Sequence, residues 1–139
     1  MNFTRNASAN WEGSIKEGKG NITTGSGALD KAKYAFGTRF KDEKGTNPEE
    51  LIGAAHAGCY TMQLSGLLGE NDYTPNDLHT DAKVTFEDGE ITKIALSVSG
   101  KVPNIKEDEF VELAEKAKKI CPVSKLLDTN ITLEAKLEA

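Results

Sequence analysis

Apolar positions along this chain change their period several times, and each change predicts an element. Between residues 5 and 24 a weak alternation, broken by Gly18 and Gly20, predicts a hairpin with strands over Ser8–Gly13 and Ile15–Thr24. Gly25-Ser26-Gly27 then reads as a turn or loop. Tyr34, Phe36 and Phe40 fall at even spacing, which predicts an extended segment carrying these rings on one face and Arg39 on the other. Lys41 to Gly45 reads as a charged loop.

Helix signals begin at Asn47. It is a good N-cap, Pro48 suits the first helical position, and Glu50 three residues after the cap completes a capping-box-like pattern. From Leu51 to Leu68 there is no charged residue, which predicts a helix buried on almost every side. Gly53, Gly58 and Gly66 lower helix propensity by up to about 1 kcal/mol each relative to alanine. They are expected to permit close packing, either under other elements or against a second copy of the same helix.

Period-2 patterning returns at Leu78, Thr80, Ala82, Val84 and Phe86, turns at Asp88-Gly89, and resumes at Ile94, Leu96 and Val98 with Val102 in phase. A second helix is predicted from about Lys106 to Cys121, with Phe110, Leu113, Ala114, Ala117 and Ile120 as its apolar stripe. Its acidic start (Glu107, Asp108, Glu109) and basic end (Lys116, Lys118, Lys119) suit the helix dipole. Pro122 stops that helix and opens a short one reaching Leu127, before a final strand through Ile131, Leu133, Ala135 and Leu137. The predicted class is α+β, with antiparallel strands and two main helices.

The chain has 139 residues, 37% of them hydrophobic and 28% charged, enough for one soluble domain spanning 1–139. A net charge of −5 with a pI near 5.1 argues against nucleic acid as a partner, since phosphate contacts need clustered Lys and Arg. No basic run followed by an apolar stretch opens the chain, and no apolar run approaches the roughly 18 residues a bilayer requires, so a cytoplasmic location is expected. Thiols are normally reduced there, and a pair of cysteines is more often catalytic or redox-sensing than structural.

The only cysteines are Cys59, inside the uncharged helix, and Cys121, directly before Pro122. They are too far apart in sequence for a CxxC redox pair or a local zinc knuckle. Cys59 reads either as a small core hydrophobe or as a reactive thiol, and reactivity requires a nearby cation because burial alone raises a thiol pKa. His56, one turn earlier, is more simply read as a core histidine. Arg39 reads equally as a surface arginine or as that cation, in which case it needs a carboxylate, and Glu49 and Glu50 follow within a short loop. Cys121 lies near Lys118 and Lys119 and before a helix start, a setting that favours thiolate, or else it simply packs at a helix end. His56, Cys59, His79 and Cys121 lack the close paired spacing of zinc ligands, so neither a metal nor another cofactor is expected.

The run Lys44-Gly45-Thr46-Asn47-Pro48-Glu49-Glu50-Leu51-Ile52-Gly53-Ala54-Ala55-His56-Ala57-Gly58-Cys59 strongly resembles the active-site helix of the osmotically inducible protein C family. Cys121-Pro122-Val123-Ser124 resembles that family's second cysteine motif, and Trp11-Glu12-Gly13 also fits. The resemblance covers nearly the whole chain. It implies a thiol-dependent peroxidase acting on organic hydroperoxides, built as an intertwined homodimer whose antiparallel sheets wrap central buried helices, with active sites at the subunit interface. The organic hydroperoxide resistance branch carries its arginine in an N-terminal glycine-rich loop, and Thr24-Gly25-Ser26-Gly27 has none. Arg39, within Tyr34-Ala35-Phe36-Gly37-Thr38-Arg39-Phe40, resembles the arginine of the branch that gives the family its name, and the family's partner carboxylate maps onto Glu49. Gly58 stands where that branch has alanine, a change too small to alter the chemistry.

On this resemblance the catalytic residues are Cys59, Cys121, Arg39 and Glu49, and an external dithiol, of lipoyl type, regenerates the enzyme. Glu49 and Cys59 are ten positions apart, about 15 Å along a straight helix, so they cannot touch within one helix. Arg39 spans the gap, the glycines bend the helix, or Glu49 reaches the Cys59 of a second copy, the arrangement favoured here. The competing readings are a non-catalytic protein that binds a small hydrophobic ligand and a thiol sensor that oxidises without turnover.

Overall fold

The computed structural model describes residues 1–139, which form two compact units, Met1–Leu51 and Ile52–Ala139. In the first, β1 (Ala7–Glu12), β2 (Lys19–Thr24) and β3 (Ala32–Tyr34) make an antiparallel sheet in the order β1-β2-β3. The predicted hairpin is present, but its second strand starts late. Gly18 N–H donates to Ser14 O at 2.8 Å, closing a turn that takes in Ile15. Trp11 and Tyr34 both stand opposite Gly20 in the register, and their rings meet over it with centroids 5.3 Å apart. A Cβ at position 20 would lie 2.5 Å from the Trp11 ring and 2.6 Å from that of Tyr34, so only glycine lets the two aromatics close over the sheet.

The extended segment expected through Phe40 is not found. β3 ends at Tyr34, and α1 (Phe36–Phe40) follows as a short helical turn. The buried Thr38 hydroxyl causes the switch, accepting from Ala35 N–H at 2.8 Å and donating to Ala35 O at 3.0 Å. Phe36 and Phe40 are four residues apart, a spacing even in a strand and one full turn in a helix. As helix neighbours their ring centroids lie 4.9 Å apart.

The long helix α2 runs Pro48–Glu70 and begins as its cap predicts, with Glu50 N–H donating to Asn47 Oδ1 at 2.7 Å. From Ile52 onward it belongs to the second unit. There β4 (Asp77–Glu87) and β5 (Glu90–Lys101) form a hairpin closed by Asp88 and Gly89, whose φ values of 49° and 84° are those of a type I′ turn.

After β5 come α3 (Glu107–Ile120), α4 (Pro122–Leu126) and β6 (Asn130–Glu138). β6 pairs with β5 in parallel, so the sheet β4-β5-β6 is mixed rather than wholly antiparallel. Alternating side chains specify a strand and its buried face but not its direction. Here the two intervening helices carry the chain back across the sheet, as a parallel crossover requires.

The core joins Tyr60, Leu64, Leu67 and Leu68 of α2 to Ile94, Leu96 and Val98 of β5 and to Phe110, Leu113, Ala114 and Ala117 of α3. Tyr60 donates to Ala114 O at 2.9 Å, so its hydroxyl is satisfied inside this core. Phe110→Ala is expected to lower unfolding free energy by about 3–5 kcal/mol in a urea titration, because the ring is fully buried. The expectation of an α2 buried on almost every side needs correction. Ala54, Ala55, Gly58 and Gly66 are exposed, as is Met62 at 80%, so within one chain the uncharged helix buries one face and leaves an opposite stripe of small residues open.

Candidate active site

Pro122 decides where Cys121 sits. The ring disfavours helical backbone at the preceding residue, and Cys121 accordingly has φ −59° and ψ 125°, ending α3 while capping α4. Its N–H still donates to Ala117 O at 2.9 Å, and its carbonyl accepts from Lys125 N–H at 3.0 Å, so the residue is fixed from both sides. Cys59, on α2, faces it. The two sulfurs, 62 residues apart in sequence, are 3.1 Å apart in space and both are free thiols. A disulfide needs about 2.0 Å, so a closure of about 1 Å would join them. Cys121 is buried, whereas Cys59 keeps some exposure and is the sulfur a substrate can reach.

Three influences act on the Cys59 thiol. Burial pushes it up, a hydrogen bond from the Val123 N–H pulls it down, and the adjoining Cys121 pushes it up again, with a net rise above the ordinary thiol value. Val123 belongs to α4, which therefore offers Cys59 both a backbone donor and the second sulfur.

His56 is buried, and its Nε2 lies 2.7 Å from Ser124 Oγ. Burial lowers its pKa, so the ring is neutral at neutral pH. Nδ1 has no partner within the chain. We assign the ring hydrogen to Nε2, donating to Ser124, because an orphaned N–H would be worse than an orphaned lone pair. Leaving a buried polar atom unpaired still costs about 1–3 kcal/mol. Sequence reasoning set His56 aside as a satisfied core residue and missed Ser124 and Val123. The available signal was spacing, since His56 precedes Cys59 by three residues and Ser124 follows Cys121 by three.

In the first unit, Arg39 and Glu49 are brought together. Arg39 Nε lies 2.7 Å from Glu49 Oε1 and 3.2 Å from Oε2, with the side chains 36% and 13% exposed. An ion pair this open adds about 0–1 kcal/mol to stability, so its consequence is to aim the guanidinium. Arg39 also lies 5.1 Å from the Phe40 ring centroid. A cavity of about 460 Å³ opens beside it, lined by Trp11, Ile15, Tyr34, Phe36 and Phe40 among others. The remaining residues weighed in the sequence lie elsewhere. Lys118 is paired with Glu115 at 3.2 Å, and His79 meets Asp81 at 3.1 Å on exposed β4.

Comparison with known proteins bears on this arrangement. The chain is 48% identical to the Peroxiredoxin OsmC of Escherichia coli (strain K12), an alignment that covers all of both chains. It is 31% identical to the Organic hydroperoxide resistance protein-like 1 of Staphylococcus saprophyticus, over 66% of this chain and 68% of that one. Its fold is similar to the crystal structure of an OsmC-like protein from Mycoplasma pneumoniae, with a TM-score of 0.77 over 100% of both chains at 16% identity, a likeness of fold alone. The family model described as OsmC-like protein matches residues 41–136, a stretch that carries both cysteines and Glu49. With that match and a relative nearly half identical along its whole length, the chain belongs to the OsmC-like protein family.

Proposed function

We infer that this chain is a thiol-dependent peroxidase that reduces organic hydroperoxides to alcohols, with Cys59 as the attacking thiolate and Cys121 as the thiol that resolves it. One observation carries the reading: two free sulfurs distant in sequence meet at 3.1 Å, one partly open and one buried. The names of its relatives, a peroxiredoxin and organic hydroperoxide resistance proteins, support it.

The chemistry follows from that geometry. The Cys59 thiolate attacks the terminal oxygen of the hydroperoxide, the O–O bond breaks, and the leaving alkoxide takes a proton to become the alcohol. Cys59 is left as a sulfenic acid. The Cys121 sulfur then attacks the Cys59 sulfur, its proton and the departing hydroxyl leave together as water, and a disulfide remains. An external dithiol returns both to thiols by two exchange steps and is itself oxidised to a disulfide. A lipoyl-type dithiol suits this step.

A thiol raised by burial is a poor nucleophile near neutral pH, so the reaction needs a cation. The family resemblance gives that role to Arg39, which Glu49 holds at 2.7 Å. The aromatic cavity beside Arg39 suits an organic tail better than it suits hydrogen peroxide. The open, uncharged stripe of α2 supports a homodimer in which two copies cover each other's helix and complete the site at their interface. No helix here is long and apolar enough to cross a membrane.

The test is a thiol count. Reduced protein mixed with one equivalent of cumene hydroperoxide is expected to lose both thiols at once as an intramolecular disulfide, with an equivalent of cumyl alcohol released. Cys121→Ser is expected to stop after one oxidation, leaving a sulfenic acid that dimedone captures. Wild-type thiols that outlast the peroxide by minutes would overturn the reading.

A further inference from the structure

Beyond the four residues assigned to the reaction, α4 makes a second contact with α2. The His56–Ser124 bond at 2.7 Å and the Cys59–Cys121 contact at 3.1 Å pair the same two helices. On α2 the members are three residues apart, one turn, and on α4 and its cap they are again three apart. The pairing runs in opposite order, 56 with 124 and 59 with 121, so the two contacts are adjacent rungs between the helices. α4 is short, spanning Pro122–Leu126, contributes no fully buried residue, and presents Leu126 at 80% exposure. Cys121 is held by the end of α3 and Val123 packs against the core, but a five-residue helix has little stability of its own, so its seat on α2 depends on each such tertiary contact. His56, by contrast, is wholly buried on a helix that carries much of the core.

We propose that His56 is a positioning residue for the resolving step: its bond to Ser124 clamps α4 onto α2 and so holds the Cys121 sulfur against Cys59. This rests on the two-cysteine reading above. The clamp acts on the second chemical step more than on the first. α4 affects the Cys59 thiol in two opposing ways, the Val123 N–H lowering its pKa and Cys121 raising it, and loosening the helix relaxes both together. Condensation of the sulfenic acid has no such compensation, because it needs the second sulfur within about 3–3.5 Å of the first.

The consequence is a partition. Once Cys59 is a sulfenic acid, it either condenses with Cys121, releasing water, or meets a second hydroperoxide and becomes a sulfinic acid, releasing a second alcohol. Full-length wild type, Ser124→Ala and Ser124→Thr would be titrated with cumene hydroperoxide, and disulfide and sulfinic acid counted by mass spectrometry. Ser124 is only half-buried, so the alanine variant is expected to fold, as circular dichroism would verify. Ser124→Ala is expected to reach half-conversion to sulfinic acid at about one-tenth of the wild-type peroxide concentration, with its first oxidation within about threefold of wild type. Ser124→Thr keeps the hydroxyl and should restore the wild-type partition. A wild-type partition in Ser124→Ala overturns the proposal, and so does a threonine variant as impaired as the alanine one. A wild type that forms no disulfide at all would instead overturn the two-cysteine reading, so the two failures are distinguishable.

Discussion

Cys59→Ser is expected to lose peroxide consumption almost completely, by on the order of 10⁴-fold or more, as removal of a covalent nucleophile does elsewhere. The physical reason is that the serine hydroxyl remains protonated across the working pH range and has no polarisable lone pair suited to splitting an O–O bond. The substitution is small and the position only partly buried, so the fold should survive and the loss should reflect chemistry. Cys121 remains in this variant as an internal control. It is buried, and its thiol should persist through the peroxide challenge. Peroxide consumption would be followed with excess dithiothreitol. A variant retaining more than about one-hundredth of the wild-type rate would show that Cys59 is not the attacking sulfur.

Arg39→Gln is the second large effect. The influences acting on Cys59 within the second unit leave its thiol raised, and a cation of the proposed kind works against that rise. A nearby positive charge favours the ionised form and lowers the pKa, so its removal raises the pKa and shrinks the thiolate fraction at neutral pH. An opposite charge at close range is worth about 1–3 pKa units, so the rate of Cys59 oxidation near pH 7 should fall about 10- to 1000-fold. The sign gives a diagnostic. Because thiolate returns as pH rises through the shifted pKa, much of the lost rate should be recovered in alkaline buffer, leaving only the part due to lost hydrogen bonding to the peroxide. Glu49→Gln should act in the same direction but less, since it frees the guanidinium without removing it. An Arg39→Gln profile superimposable on the wild type at every pH would remove Arg39 from the mechanism.

Much of this protein is legible in its sequence. The Asn47-Pro48-Glu49-Glu50 cap marked the start of α2 to the residue, because capping is a local hydrogen bond between neighbours. The Asp88-Gly89 turn was equally readable, since two consecutive positive φ values select their residues. The apolar stripe of α3 and the inward faces of β4, β5 and β6 followed from period alone. The segment after Tyr34 was not legible in the same way. A spacing of four between Phe36 and Phe40 satisfies strand and helix alike, and the Thr38 hydroxyl, bonded to the backbone of Ala35, tipped it.

Local pattern thus determined most of the helical and extended segments, though not the one after Tyr34, and the inward faces of α3, β4, β5 and β6, because each of these depends on neighbours within a turn or two of chain. The direction of β6, the open stripe of α2, the meeting of Cys59 with Cys121 and the bond from His56 to Ser124 were decided only by the tertiary structure. These are contacts between residues tens of positions apart, and the packing of the helices on the mixed sheet, to which no short stretch of sequence is sensitive, brings them together.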